Sequence, residues 1–332
     1  MSYYPREIVD CYLEKKHEDL LNVPNAESIY VASVPKDLAN NKFYIERGIY
    51  YNDNTMSRNK ILLQDNLVLK ECIKKYNKTG IRKEKIVIDE IEKINIEKKD
   101  TGLFRLQNSK KIRPIVGGIE IGHRHDRSGT LGAIILCEGT GSRKYILSNY
   151  HVMMSSEDFV QDKLLFQPSL SSHETRYVNY CNIIAKVSYG HFGKYADVAL
   201  AEIINNTRSA RGIINYKKTI NGIGAPYLNQ EVFLYGASSG FNKGNIRSTN
   251  TFVKFRTPWK GNNFYTLKNQ ILTNNMSRDG DSGSLLIDNE NNKAVGLLIG
   301  GDGKSFSIYN NFKYIFNQDY ENMPNIKFKK FI

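Results

Sequence analysis

Asp279-Gly280-Asp281-Ser282-Gly283-Ser284 is the stretch on which the reading of this chain turns. It sets a serine on a glycine-flanked turn. An apolar run, Ser284–Ile287, follows it, and then a glycine-rich one, Val295-Gly-Leu-Leu-Ile-Gly-Gly301. A serine hydroxyl stays protonated at neutral pH and is a weak nucleophile unless a base lies within hydrogen-bond reach. Glycines beside it let the backbone turn sharply, which aims the amides of Gly280 and Ser282 at a developing oxyanion.

Two upstream stretches supply what the serine lacks. Leu147-Ser-Asn-Tyr-His151 places His151 just after an apolar strand ending Tyr145-Ile-Leu-Ser148. Imidazole is the usual base for this work because its ordinary pKa lies near ~6.5. Ala196-Asp197-Val-Ala-Leu200 opens an apolar strand with a carboxylate, the group that fixes an imidazole's tautomer and stabilises the imidazolium. A lone histidine at a strand end is more often structural, and a lone aspartate before an apolar strand says little. The order His, Asp, Ser around a Gly-Asp-Ser-Gly turn carries the assignment: His151 as base, Asp197 as orienting acid, Ser282 as nucleophile. Esterase-type folds place the serine first, so the order disfavours them.

The rest of the chain sets the frame. At 332 residues, with 40% hydrophobic and 24% charged side chains, it is long enough for two or three folded units and is no disordered polymer. Tyr and Phe, 21 and 15 in number, favour strands. The net charge of +13 is spread along the chain, with one small cluster at Lys327, Lys329 and Lys330. It reads first as compositional bias; weak, salt-sensitive contact with nucleic acid stays open. The cysteines Cys11, Cys72, Cys137 and Cys181 form no CxxC pair, so neither a zinc site nor a disulfide framework is expected. The first residues lack the apolar run of a secretory signal, and no segment reaches the ~18 apolar residues that span a bilayer. A cytoplasmic protein without membrane contact is the expectation.

Residues 1–112 read as a small α+β domain ending in a linker. The apolar spacing of Ile8, Val9, Leu13, Leu20 and Leu21 predicts a helix over 6–22, and Glu27–Val34 and Lys42–Tyr51 alternate as strands. Ser57–Tyr76 reads as a second helix. Lys85–Ile94 fits strand or helix, and Glu97–Arg113 is polar, basic and without apolar period. From Ile115 onward, short apolar runs broken by Gly, Asn and Ser predict antiparallel β structure: Thr130–Cys137, Lys144–Ser148, Leu164–Gln167, Ile183–Val187, Val198–Ile204, Glu231–Tyr235, Thr251–Phe255 and Ala294–Ile299.

Residues 113–332 resemble a chymotrypsin/trypsin-like serine protease, nearest to a bacterial branch without disulfides whose histidine motif reads Leu-Ser-Asn-x-His-Val. Beyond the three stretches, Gly129-Thr-Leu-Gly-Ala133, Gln167-Pro168 and Gly236–Gly244 carry the likeness. The resemblance implies a mainly β fold of two six-stranded antiparallel β-barrels. The first spans about 115–207 and carries His151 and Asp197; the second spans about 213–305 and carries Ser282; a C-terminal segment, 306–332, follows. By the same resemblance Met276, six positions before the serine, lies at the base of the specificity pocket, and Ile299, Gly300 and Gly301 line its wall and pair with an extended substrate. An apolar base suggests an uncharged side chain before the cut, while Asp302 leaves a basic one open.

Two departures from the family matter. Val152 follows His151 where secreted members carry a bridged cysteine. Ile115-Val-Gly-Gly118 is similar to the new N-terminus of an activated zymogen, whose amine would pair with Asp281, but Pro114 disfavours a trypsin-type cut there. A strand start is the reading preferred. His123-Arg-His125-Asp126 reads as a solvated cluster before a metal set, and Asp288-Asn-Glu-Asn-Asn292 as a turn before a calcium loop. No metal or cofactor is expected. The function expected is an intracellular serine endopeptidase acting on protein or peptide through an acyl-enzyme, with restricted and regulated activity, in a defence or signalling module or elsewhere. Residues 1–112 are the candidate for a regulatory partner. The alternative is a catalytically silent, protease-like binding protein with a basic surface.

Overall fold

The computed structural model describes residues 4–22, 26–32, 44–50, 56–61, 66–77, 110–123, 128–154, 159–169, 180–204, 207–256, 264–316, 320–323 and 326–332. Lys85–Ile94 and most of the expected linker lie outside them. The chain divides into two compact units: Met1–Thr101 with Ser248–Arg256 and Phe264–Asn269, and Gly102–Arg247 with Thr257–Asn263 and Gln270–Ile332.

In the first unit the predicted helix is α1, Arg6–Leu21, which buries Ile8, Val9, Tyr12, Leu13, His17 and Leu21 along one face. Strands β1 (Ala26–Ala32), β2 (Tyr44–Tyr50) and β3 (Met56–Ile61) form an antiparallel meander, and β1 also pairs through Ser28–Tyr30 with Thr251–Val253. A second helix, α2, runs over Asn66–Asn77. The expectation of one helix over Ser57–Tyr76 is corrected: residues 56–61 pair one by one with 45–50, and this ladder overrides helix propensity up to Ile61. Asp10 anchors α1, accepting from Asn250 Nδ2 at 2.8 Å, while Arg6 reaches Thr249 Oγ1 at 2.6 Å.

The expectation of a chain without disulfides is corrected here as well. Cys11 on α1 and Cys72 on α2 stand 5.7 Å apart at Cα and are joined by a disulfide. One helix period brings Cys11 beside the buried face of α1, and another places Cys72, almost fully buried, beside buried Leu69. One of the two premises for a cytoplasmic setting goes with it.

The second unit holds the first barrel and the second barrel except for two strand arms, Ser248–Arg256 and Phe264–Asn269, which belong to the first unit. Its first strands are β4 (Ile115–Gly117), β5 (Glu120–Gly122), β6 (Ser128–Thr130), β7 (Ala133–Cys137) and β8 (Lys144–Ser148), followed by a helical turn, α3 (Tyr150–Met153). Then come β9 (Leu164–Phe166), β10 (Ile183–Gly193) and β11 (Ala196–Ile203). The pairing order β7-β8-β11-β10-β9-β5-β6 returns to its start, because β6 and β7 are two arms of one strand bent at Leu131–Gly132. Six strands therefore close the first barrel.

After β12 (Ser209–Ile213), which pairs with β4 in parallel, the second barrel uses β13 (Glu231–Gly236), β14 (Gly240–Arg256), β15 (Phe264–Asn274), β16 (Leu285–Asp288), β17 (Ala294–Gly301) and β18 (Phe306–Asn311). The order β13-β16-β17-β18-β15-β14 closes through a β13–β14 pairing, again with six strands. A short helix, α4 (Phe312–Ile315), leads to β19 (Phe328–Phe331), which returns to pair with β7.

The first barrel's interior packs Ile121, Ile134, Ile146, Leu165, Ile184 and Ala199; the second packs Val232, Leu234, Ile271, Leu286, Val295 and Leu298. A third cluster fills the seam between barrels, with Leu147, Val198 and Leu200 against Leu285, Leu297 and Phe312. Each of the Val, Leu, Ile and Phe side chains among them contributes roughly 1.5–3 kcal/mol on burial. Burial on both faces explains why the middle of β11, Val198–Ala201, reads as a continuous apolar run and not an alternating one. This seam fixes the first barrel's histidine and aspartate against the second barrel's serine turn.

Candidate active site

β8 delivers its last residues to α3, so His151 projects from a single helical turn just past the strand end. β11 runs antiparallel to β8 with Ala199 opposite Ser148, which carries Asp197 up to that turn. The Asp197 side chain is fully buried and both its oxygens engage His151: Oδ2 takes Nδ1 at 2.5 Å and Oδ1 takes the His151 amide at 3.1 Å. A carboxylate only accepts, so Nδ1 carries a proton, and in the neutral ring Nε2 then keeps the lone pair that a general base requires. The imidazole keeps 19% of its side-chain surface exposed, enough to receive a reacting group.

Two residues hold Asp197 that the sequence reading did not single out. Asn149 Nδ2 donates to the Asp197 carbonyl at 2.8 Å. Asn310, on β18 of the other barrel, accepts from the Asp197 amide at 2.8 Å and donates to its carbonyl at 2.9 Å. A side-chain amide can pair with a backbone amide at both ends, so Asn310 clasps the aspartate across the seam. The signal lies in Asn310-Asn311 ending an apolar strand, where polar side chains that become fully buried need partners.

Ser282 sits on the turn between Asp281 and Ser284. The Asp281 carbonyl accepts from Ser284 N at 3.0 Å and Ser284 Oγ at 2.6 Å, which turns the Ser282 N–H the opposite way in the same planar peptide. Gly280 takes φ +93°, a left-handed conformation open to glycine at little cost. Neither the Gly280 nor the Ser282 amide has a partner among the described residues. The Ser282 carbonyl and Val152, the residue after His151, flank one glycine: a Cβ on Gly129 would meet Ser282 O at 2.7 Å and Val152 Cγ2 at 2.5 Å. The serine turn and the histidine turn are thus one residue's width apart. The Ser282 hydroxyl donates to the Ile299 carbonyl at 2.9 Å.

Asp281 next to the serine is fully buried, and its oxygens take three backbone amides: Ser238 and Ser239 on Oδ1, both at 2.9 Å, and Arg278 on Oδ2 at 2.8 Å. Ile115, the residue similar to a zymogen's new N-terminus, is a strand residue whose amide donates to Arg208 O at 2.9 Å. The Asp281 carboxylate is filled without it.

The expected pocket residues fall in three settings. Met276 is buried in the second barrel's core, with Tyr309 O–H directed at its sulfur at 3.8 Å. Ile299 buries its side chain and presents its carbonyl to Ser282. Gly300 has open space where a side chain would stand, and Gly301 is exposed. Among the described residues no group of three or more His, Cys, Asp or Glu is placed to hold a metal ion. His123 is buried at the end of β5, and its expected companions His125 and Asp126 lie outside the described residues. Asp288 binds the Glu290 amide and the Asn291 side chain, closing the turn between β16 and β17.

No protein-family profile matches the chain, and no curated protein does. The fold is similar to several solved structures. Thermobifida fusca Protease A aligns at 18% identity and TM-score 0.44, over 59% of this chain and 91% of that one. Nocardiopsis Protease aligns at 16% and 0.46, over 65% and 99%, and Cellulomonas bogoriensis chymotrypsin at 17% and 0.41, over 59% and 91%. The resemblance to chymotrypsin-like proteases is one of fold.

Proposed function

We propose that the chain is a serine endopeptidase that cleaves peptide bonds through an acyl-enzyme, with His151, Asp197 and Ser282 as base, orienting acid and nucleophile. The observation that carries this reading is the two-point contact of His151 with buried Asp197, made beside a serine turn whose two amides have no partner among the described residues. In the reaction the Ser282 hydroxyl leaves the Ile299 carbonyl and turns to His151 Nε2. It attacks the substrate carbonyl as Nε2 takes its proton, and the carbonyl oxygen, now negative, accepts from the Gly280 and Ser282 amides. The imidazolium, stabilised by Asp197, returns the proton to the leaving amine. Water then repeats the sequence on the ester, frees the acid and restores Ser282.

The Ile299 carbonyl has a second use. An extended substrate adding as a strand along Ile299–Gly301 places an amide N–H at that acceptor. Its arrival displaces the serine hydroxyl, so substrate binding and release of the nucleophile are coupled. Open space at Gly300 accommodates the substrate backbone and side chain there. Protein or peptide is the substrate class this edge suits.

One observation favours a second reading. The hydroxyl of Ser282 is bonded to Ile299 and not to His151, as in a protein that binds peptide strands without cutting them. Labelling with a fluorophosphonate separates the two. Endopeptidase chemistry predicts an adduct on wild type that is lost in Ser282→Ala and in His151→Ala; an unlabelled wild type favours the binding protein.

A further inference from the structure

Thr130 is a fully buried polar residue at the bend between the two arms of the first barrel's leading strand, with no part in the chemistry described so far. Every polar atom it has is engaged. Its amide donates to the Ser282 carbonyl at 2.7 Å, and its hydroxyl donates to the Gly280 carbonyl at 2.9 Å. The same hydroxyl accepts from the Ala237 amide at 3.0 Å, and its carbonyl accepts from Ser148 Oγ at 2.8 Å. With Ser284 on the Asp281 carbonyl, three consecutive carbonyls of the serine turn, at 280, 281 and 282, are each pinned. Because each peptide is planar, the pinned carbonyl at 281 orients the Ser282 N–H, and the Thr130 contacts at 280 and 282 fix the peptides on either side of it, those carrying the Asp281 and Gly283 N–H groups.

We propose that Thr130 is a positioning residue for the oxyanion-binding turn, its side-chain hydroxyl fixing the Gly280–Asp281 peptide and its backbone amide the Ser282–Gly283 peptide, the two that flank the peptide bearing the Ser282 N–H. The inference rests on the endopeptidase reading. The hydroxyl is a relay: Ala237 N–H orients its lone pair, and the remaining hydrogen is committed to Gly280. Ala237 is followed by Ser238 and Ser239, whose amides hold Asp281. Three successive amides after β13 thus grip the serine turn, the first of them through Thr130. A threonine is the natural choice because the site needs a buried donor and acceptor on one atom, which valine, its isostere, lacks.

The test is the rate of fluorophosphonate inactivation, resolved into a binding constant and a maximal rate, for full-length wild type, Thr130→Val, Thr130→Ala and Thr130→Ser. Loss of an oxyanion donor commonly slows reaction about a hundredfold or more, and loosening of one by a missing support is expected to cost about tenfold to a hundredfold. Thr130→Val and Thr130→Ala are expected to lower the maximal rate by that factor with the binding constant unchanged, and Thr130→Ser to restore it. Thr130→Ala adds no methyl against the Gly280 carbonyl and so reads the same quantity should the valine variant fail to fold. Equal maximal rates in wild type and the folded variants would overturn the inference while leaving the endopeptidase reading intact. So would a serine variant as slow as the valine one, which would mark a packing effect. A wild type that does not react at all overturns the endopeptidase reading, and this inference with it.

Discussion

Among the described residues no cation reaches Asp281, yet its carboxylate is fully buried. Burying a charge unpaired is costly, and three amide donors offset that cost here. The grip leaves no room for a neighbour: a Cβ on Gly236 would stand 2.1 Å from Asp281 Oδ1. Gly236→Ala is therefore expected to push the carboxylate off the Ser238 and Ser239 amides and cost about 1–3 kcal/mol. Urea unfolding reads the stability, and fluorophosphonate labelling should fall with it. At this scale the sequence was legible where chemistry has a local spelling. The glycine-flanked serine and the strand-end histidine announce themselves by their neighbours. Thr130, Asn149 and Asn310 do not, because their partners lie far along the chain and only the closing of the barrels brings them together.

β10 and the C-terminal segment illustrate the same point for elements. His191 on β10 stacks on Tyr320, ring centroids 3.6 Å apart and planes within 10°, and contacts the Gly193 carbonyl through Nε2 at 3.2 Å. Burial lowers its pKa, more strongly than the Gly193 carbonyl and the Asp197 charge raise it. The folded protein then binds a proton at His191 less readily than the unfolded chain does. The stability it contributes is full above the ordinary histidine pKa and is lost as pH falls through the lowered folded value. Wild type should lose more stability between pH 7.5 and pH 5.5 than His191→Gln, as read by urea midpoints; equal losses would remove His191 from the account. Elements spelled by short apolar runs, such as β8 and β13, were legible nearly to the residue. β15 was not read at all, since Asn, Lys and Thr interrupt its apolar positions, and β3 was read as helix because its polar Ser57-Arg-Asn-Lys60 shows no apolar alternation.

For the whole molecule, the two barrels followed from texture and resemblance, whereas the covalent link of the first unit did not. Cys11 and Cys72 are 61 residues apart, and nothing local marks them as partners. In the chain-entropy view, closing a loop of that length stabilises by about 4 kcal/mol. Cys11→Ser or Cys72→Ser should lower the unfolding midpoint of the full chain by a corresponding amount, and reduction of wild type should reproduce the loss. Such bridges persist in oxidising surroundings, so a thiol count on protein taken from its native cell also reports the compartment. Asp281 is already held by three amides and the Ile115 amide is bonded to Arg208, so the Asp281 carboxylate has its partners without a cut at residues 113–115. The intact mass of the full-length, unprocessed chain after fluorophosphonate treatment tests this account most directly. A single adduct on Ser282, absent in Ser282→Ala and strongly reduced in His151→Ala, is the predicted result. An unmodified wild type, or an adduct that survives in Ser282→Ala, would contradict it.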